Sequence, residues 1–366
     1  MKIGIWIGII LSGLAAIAGV VAIVFLNRPE FGRMPGGERL RRIERSPNFR
    51  DGAFRNRQAT VMMVSTGGWW RAVWKFLFGE KAEGVRPDEP LKVVRNDLKA
   101  LDPDGELLVW FGHSSYLLQT GGRRWLVDPV FCRAAPVSFV NRPFAATDAY
   151  MPEDMPPIDY LVITHDHWDH LDYETVVRIR ERVGRVICPL GVGEHFEYWG
   201  FEPERIVELD WDEETVTEEG FRVVCLPARH FSGRGLRRNR TLWASFLIDS
   251  PTQRIYIGGD GGYDGRFADI GRRFPGITLA MVENGQYDEA WRYIHTMPEE
   301  LGRVVRELGA ERVVTVHHSK YALARHPWNE PPEHARRLAE RDSLPVVLPE
   351  IGEIMWLKPL NRNKNE

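Results

Sequence analysis

Thr164-His165-Asp166-His167-Trp168-Asp169-His170-Leu171-Asp172 places three imidazoles and three carboxylates within eight residues. Ordering so many chargeable groups is costly unless their charge and lone pairs are used. The stretch follows an apolar run, Tyr160 to Ile163, which reads as a short strand. On a loop leaving that strand, His165 and His167 can turn toward one point, while Asp169 and His170 begin a helix and face a second point nearby. Such a pattern suits two divalent cations side by side. Imidazole and carboxylate donors without a thiolate favour zinc, with iron or manganese as alternatives. The bland reading, a solvated polar turn whose histidines cap the next helix, requires one or two such residues and not six.

Downstream, three more apolar strands run straight into candidate ligands. Phe221 to Leu226 leads to Pro227-Ala228-Arg229-His230, Arg254 to Ile257 leads to Gly258-Gly259-Asp260, and Val313 to Val316 leads to His317-His318. Strands that end in functional groups are what a rigid scaffold aimed at one cleft requires. Upstream, Leu107 to Phe111, Ser115 to Gln119 and Arg124 to Val127 read as strands, the last two joined across Gly121 and Gly122. Arg185 to Cys188, Arg205 to Leu209 and Leu242 to Ile248 are further strands. Helices are expected at Tyr173 to Arg182, at Pro298 to Leu308, where Pro298 suits a first turn, and at Pro332 to Arg341. Strands with interspersed helices make a layered α/β body with sheets at its centre. Residues 61–360 suffice for one such domain, and no second core is evident.

The His-x-His-x-Asp-His motif at 165–170 resembles the hallmark of the metallo-β-lactamase superfamily, which implies an αββα sandwich. The resemblance implies that His165, His167 and His230 hold one metal, that Asp169, His170 and His317 hold the other, and that Asp260 bridges them. His317 is preferred to His318 because it abuts the strand. Asp128 resembles a position that supports the ligand loop through hydrogen bonds. His113 could line the cleft or satisfy its own turn, and His295 looks like a residue beside the site that opens the next helix.

Within the superfamily the sequence is similar to the N-acylphosphatidylethanolamine-hydrolysing phospholipase D family and its bacterial relatives. The residues that carry this are Trp110-Phe111-Gly112-His113-Ser114-Ser115, Leu126-Val127-Asp128-Pro129, Pro227-Ala228-Arg229-His230, Leu242-Trp243-Ala244-Ser245-Phe246 and His295-Thr296-Met297-Pro298-Glu299-Glu300. His317-His318-Ser319-Lys320-Tyr321 and Glu283-Asn284-Gly285-Gln286-Tyr287 depart from that family's pattern.

From Ile3 to Leu26 no residue is charged, and a helix of that length spans about 36 Å, enough for a bilayer core. Residues 1–26 therefore read as a single-pass anchor. The rival is a cleaved signal peptide, whose apolar region is usually only about 7–15 residues long. Lys2 precedes the helix and Arg28, Arg33, Arg39, Arg41, Arg42 and Arg45 follow it, which places the body on the cytoplasmic side. Gly4, Gly8, Ser12 and Ala16 recur every four residues and would let two such helices approach as a homodimer. Residues 27–60 read as a juxtamembrane linker that extends onto the body, and 361–366 as a polar tail. Trp69, Trp70, Val73, Trp74 and Leu77 form an aromatic stripe at helical spacing, suited to a core or to a lipid interface.

Bulk charge advertises no nucleic-acid partner: 48 Lys and Arg face 51 Asp and Glu. The three cysteines, Cys132, Cys188 and Cys225, have no CxxC spacing, which argues against a disulfide framework or a thiolate metal site. Arg229, Arg234, Arg237, Arg238 and Arg240 could grip a phosphate or form a solvated basic surface. Two cations about 3.5–4 Å apart can share a hydroxide at neutral pH and polarise the bond under attack, with Asp169 orienting it and Asp260 joining the pair. The sequence thus predicts a membrane-anchored metal-dependent hydrolase of an ester-type bond, by preference a phosphodiester in a phospholipid-like substrate. A lactonase or other small-ester hydrolase is the enzymatic alternative. A membrane-tethered metal-binding scaffold without turnover is the alternative of another class.

Overall fold

The computed structural model describes residues 2–64, 74, 79 and 82–357. Apart from Trp74, the aromatic stripe at 69–77 lies outside the described residues, as does the tail at 361–366. Among the described residues, a hairpin of β1 (Phe49–Arg50) and β2 (Ala53–Phe54) precedes two seven-stranded sheets. The first sheet contains β3 (Leu107–Trp110), β4 (Tyr116–Thr120), β5 (Arg123–Val127), β6 (Ile158–Val162), β7 (Val183–Pro189) and β8 (Ile206–Leu209). The second contains β9 (Glu214–Val216), β10 (Arg222–Leu226), β11 (Ser245–Asp249), β12 (Arg254–Ile257), β13 (Leu279–Glu283), β14 (Val313–Val316) and β15 (Val346–Val347). The last strand, β16 (Ile354–Trp356), returns to the first sheet and pairs antiparallel with β3. Each sheet is antiparallel on one side and parallel on the other, changing at β5 in the first and at β12 in the second.

Period-two alternation sorts the side chains into layers. On β3, Leu108 and Trp110 enter the core between the sheets, while Leu107 and Val109 face the outer helices. The core between the sheets joins Trp125, Val162 and Ile187 to Val223, Phe246, Ile257 and Val314. Outside the first sheet, helices Tyr173–Ile179 and Gly193–Tyr198 contribute Val176, Ile179 and Phe196. Outside the second, helices Arg266–Arg273, Pro298–Leu308 and Glu330–Glu340 contribute Phe267, Ile270, Leu301, Val305 and Leu338. Strands covered on both faces are apolar throughout, which is why they stand out as uninterrupted runs. The result is the αββα sandwich.

Local chemistry explains the boundaries. Gly121 and Gly122 have φ of 55° and 70°, the left-handed values a two-residue hairpin needs, and they join β4 to β5 with Thr120 opposite Arg123. Pro298 opens its helix, Glu300 reaches back to the Met297 N–H (3.1 Å), and Gly309 at φ 61° ends it. The helix expected at Tyr173 to Arg182 tightens into a 3-10 turn over Arg180–Arg182. The strand expected from Leu242 starts only at Ser245, because Leu242 and Ala244 donate instead to the carbonyls of Leu190 and Thr164 on neighbouring loops.

Helix Lys2–Leu26 is long and apolar enough to cross a membrane, and none of its window Ile9–Leu26 is buried against the body. The chain then turns back at once. Pro29–Phe31 forms a 3-10 turn and Gly37–Arg45 a helix lying on the body, with Arg39 bonded to Glu194 (2.6 Å), Glu208 (2.7 Å) and Glu197 (3.0 Å). Ile43 and Phe54, both fully buried, add to the core between the sheets. Residues 27–60 are woven into the domain.

Candidate metal centre

Every candidate ligand sits just past the C-terminal end of a strand, His165 to His170 after β6, His230 after β10, Asp260 after β12 and His317 after β14, and so do His113 after β3 and Asp128 after β5 beside them. The two sheets present these ends at one edge. Backbone there is forced into unusual conformations. His113, Asp128, Gln286, His317 and Ser319 all have positive φ, between 41° and 71°, at a cost of order 1–3 kcal/mol each for a non-glycine residue. Two crossed hydrogen bonds help hold this geometry, from His113 N–H to the His318 carbonyl (2.8 Å) and from His317 N–H to the His113 carbonyl (2.9 Å). Gly262 is needed for close approach, since a Cβ there would meet the Tyr293 carbonyl oxygen at 2.2 Å.

Two clusters of donors result. In the first, His167 Nδ1 lies 2.8 Å from His165 Nε2 and 3.2 Å from His230 Nε2. In the second, Asp169, His170, His317 and also His113 place one donor atom each within 4.8 Å of one another. Asp260 stands between them, with Oδ2 3.2 Å from His170 Nε2, 3.7 Å from His230 Nε2 and 3.9 Å from His165 Nε2, and Oδ1 3.2 Å from His317 Nδ1. All are buried except Asp169 and His167, which are partly open.

Supporting bonds aim these rings. His230 Nδ1 donates to the Ile294 carbonyl (2.8 Å), which leaves Nε2 as the lone-pair nitrogen. His170 Nδ1 is held by Asp128 Oδ2 (2.8 Å) with the same effect. Asp128 also accepts from the N–H (2.8 Å) and hydroxyl (2.6 Å) of Thr164, fixing the start of the ligand loop. His318 turns away from both clusters: its Nε2 faces Thr315 Oγ1 (3.1 Å), its Nδ1 faces Ser319 Oγ (2.7 Å), and its ring packs on Trp110.

The electrostatics suit cations. Burial first, and then the neighbouring imidazoles, push His165 well below the usual histidine range. Burial brings His167 down to about 4 and lowers His230 and His317 as well, so these rings are neutral donors. His170 goes the other way: burial opposes its charge, but Asp260, Asp169 and Asp128 outweigh that and raise it. His170 and the other imidazoles in turn hold Asp169 and Asp260 ionised despite burial. Among the described residues, His170 Nε2 and Asp260 Oδ1, both facing the clusters, are buried polar atoms without a hydrogen-bond partner. Orphaned donors and acceptors of this kind, around carboxylates that need a counter-charge, fit a pair of divalent ions.

Several residues take roles that the sequence did not separate. Asp166 and Asp172, inside the motif, aim away from the donor clusters. Asp166 accepts from Gly233 N–H (2.6 Å) and Thr241 Oγ1 (2.8 Å), while Asp172 accepts from Cys132 N–H (2.9 Å), Arg133 N–H (3.1 Å) and Glu174 N–H (3.2 Å) at the start of a helix. Asn56 clasps the His230 backbone, donating to its carbonyl (2.8 Å) and accepting from its N–H (3.1 Å). His295 Nδ1 is bonded to Glu283, whose other oxygen accepts from Gly261 N–H (2.6 Å). Of the arginines, Arg229 is tied to Thr60 and the Tyr263 carbonyl, Arg234 is fully buried, and Arg240 bonds the Gly52 carbonyl. Arg238 alone of these five lines the cavity. That cavity, about 490 Å³, opens over His167, Asp169, His230, Asp260 and His317, with Met62, Met63, Phe231, Trp291, Ile294 and Leu323 among its walls.

This fold and this edge of strand ends define the metallo-β-lactamase superfamily, and the chain belongs to it: residues 123–318 match the family model of the beta-lactamase superfamily domain. An uncharacterised protein of Mycobacterium tuberculosis is 39% identical over 316 residues, covering 85% of this chain and 84% of that protein. The N-acyl-phosphatidylethanolamine-hydrolyzing phospholipase D 1 of Caenorhabditis elegans is 29% identical over 272 residues, covering 68% of this chain and 75% of that protein. Among solved structures, CmlA, a diiron beta-hydroxylase from Streptomyces venezuelae, superposes with a TM-score of 0.54 at 21% identity, over 70% of this chain and 55% of that one. The chain is a metal-dependent hydrolase of this superfamily by fold and kinship, with residue clusters suited to divalent metals.

Proposed function

We propose that the protein is a membrane-anchored dinuclear hydrolase of phosphodiester bonds in phospholipid-like molecules. The observation that carries this reading is the position of Asp260, within 4 Å of donors from both clusters, at the base of a cavity whose walls are largely apolar. His165, His167 and His230 would hold one ion, Asp169, His170 and His317 the other, and Asp260 would reach both. Such a pair, zinc by preference for these donors, would supply an activated water at neutral pH and polarise the bond under attack.

The chain's own residues supply the rest. Asp169, the partly open carboxylate in the cavity, is placed to orient the nucleophilic water, and His113 Nε2 (2.8 Å) fixes its position. His295 also faces the cavity; with Nδ1 tied to Glu283, its other ring nitrogen can donate a proton to the leaving group. Glu283 keeps that proton available by raising His295 against the effect of burial. Met62, Met63 and Phe231 give acyl chains an apolar wall, and the apolar N-terminal helix holds the body at a bilayer. Similarity to the worm phospholipase supports the same substrate class.

Metal analysis of the purified protein, joined to a hydrolysis screen of N-acyl phospholipids, simple phosphodiesters and lactones, tests the reading. Two equivalents of metal and cleavage on the phosphodiester side are expected. Cleavage confined to lactones would replace the lipid reading with a small-ester hydrolase. Inactivity of metal-loaded protein on every class would favour a tethered scaffold.

A further inference from the structure

The turn that follows the apolar helix is fastened to the loop that carries the ligands. Phe31 is buried and meets Trp168, which lies between His167 and Asp169, edge to face at 5.0 Å between ring centres, while Phe25 at the end of the helix meets Phe31 at 5.3 Å. The guanidinium of Arg234 lies over the Trp168 ring, 4.1 Å from its centre. That guanidinium is fully buried and makes bonds to three separate places. It donates to the carbonyls of Asp166 (3.0 Å) and Leu171 (2.5 Å), which bracket the segment His167 to His170, and to the carbonyl of Glu30 (2.8 Å and 3.0 Å) in the turn. A second strut runs in parallel: Arg33 N–H donates to His195 Nδ1 (3.1 Å), and His195 Nε2 meets Asp166 Oδ2 (3.2 Å). Trp199 Nε1 adds a bond to the Pro29 carbonyl (2.8 Å).

We infer that the turn Pro29–Arg33, acting through Phe31, Trp168 and Arg234, positions the His165–His170 loop, so that the segment joining the anchor to the body is a working part of the metal centre. A flexible tether would let the catalytic body swing freely at the end of its anchor. Here the last turn of the apolar helix meets the 3-10 turn through Phe25 and Phe31, and that turn meets the ligand loop through Phe31 and Trp168. Phe31, Trp168 and Arg234 do not line the cavity over the donors; they are positioning residues, and their effect must appear in how the donors hold a cation. This rests on the metal-centre reading and is independent of the substrate.

The test uses the full chain in detergent, stripped of metal and titrated with zinc against a chromophoric chelator, together with the visible absorption spectrum of the cobalt(II)-loaded protein. Phe31→Ala should weaken zinc binding by up to about 10-fold, the lower end of what losing a direct hydrogen-bond partner of a ligand costs, and should alter the cobalt spectrum. Phe31→Tyr, which keeps the ring, should restore both; Phe31→Ala also loses buried packing and should melt lower without metal, so its zinc affinity and cobalt spectrum are read well below that melting temperature. Arg234→Gln is read by the same criteria if Phe31→Ala does not fold. Zinc affinity and cobalt spectra unchanged in either folded variant would overturn the inference. Wild-type protein that binds no zinc would instead remove the metal-centre reading beneath it.

Discussion

Replacing Asp128 by Asn changes one atom and separates support of the metal centre from general packing. Asp128 is buried and makes three bonds: Oδ1 accepts from Thr164 N–H, while Oδ2 accepts from Thr164 Oγ1 and faces His170 Nδ1 at 2.8 Å. Its φ of 41° is one that asparagine adopts readily, so the backbone has no reason to move. The amide oxygen will stay on the Thr164 N–H, which places NH2 against His170 Nδ1. Two donors cannot share that contact, so the neutral ring that a cation requires would carry its one proton on Nε2, the nitrogen that faces Asp260. A protonated Nε2 cannot ligate. One charge-assisted hydrogen bond is worth about 1.5–3 kcal/mol, which corresponds to roughly 10- to 100-fold in affinity. Chelator competition on the full chain should therefore show one zinc equivalent weakened by that factor while the other, held by His165, His167 and His230, changes less. Wild-type affinity for both equivalents would refute the reasoning.

Four further outcomes are expected. Asp260→Asn should weaken both zinc equivalents and abolish hydrolysis, because its carboxylate lies within reach of both clusters; loss of only one equivalent in the chelator titration would deny it the bridging place. Metal-free protein should lose thermal stability as pH falls from about 6.5 toward about 4. Burial holds His167 near 4 and His318 near 3, so the unfolded chain takes up protons first and is favoured, whereas His170, raised, is charged in the folded state throughout and its contribution is already present below its unfolded value; a flat melting temperature in metal-free buffer would contradict this. Asn56→Ala removes the clasp on His230 and an acceptor for Trp243 Nε1 (3.1 Å), and should cost about 1–3 kcal/mol in urea unfolding for the buried groups left unpaired; an unchanged midpoint would count against the clasp. Finally, the chain should fractionate with membranes until the segment before Asn27 is removed, and recovery of the intact chain in the soluble fraction would dismiss the anchor.

Much of the fold was legible because strands covered on both faces read as apolar blocks, and blocks such as Arg254 to Ile257 end where glycines begin. The helix Pro298–Leu308 was equally plain, since Pro298 and Gly309 mark both its ends. Strand β13 escaped reading: Leu279-Ala280-Met281-Val282-Glu283 mixes helix-forming residues with a terminal charge, and only its central place between β12 and β14 makes it a strand. The donors in the motif could be singled out by crowding, but the same crowding hid a division of labour. Asp169 faces the cavity while Asp166 and Asp172 brace the loop, a difference set by which neighbours each meets after folding. Asn56, far upstream in a stretch rich in arginine and glycine, has no local pattern at all. Its role exists only because the segment folds back over His230.

The helix Gly37–Arg45 has one more effect. Strand β8 lies at the rim of the first sheet, and a rim strand offers unpaired peptide groups on which a second chain can template itself. Arg42 Nη2 donates to the main-chain carbonyl of Glu208 (2.9 Å), and Arg39 engages the Glu208 side chain. The same short helix therefore seals a self-association hazard, and chains shortened past it would be expected to stick to one another by sheet extension before they lost their fold.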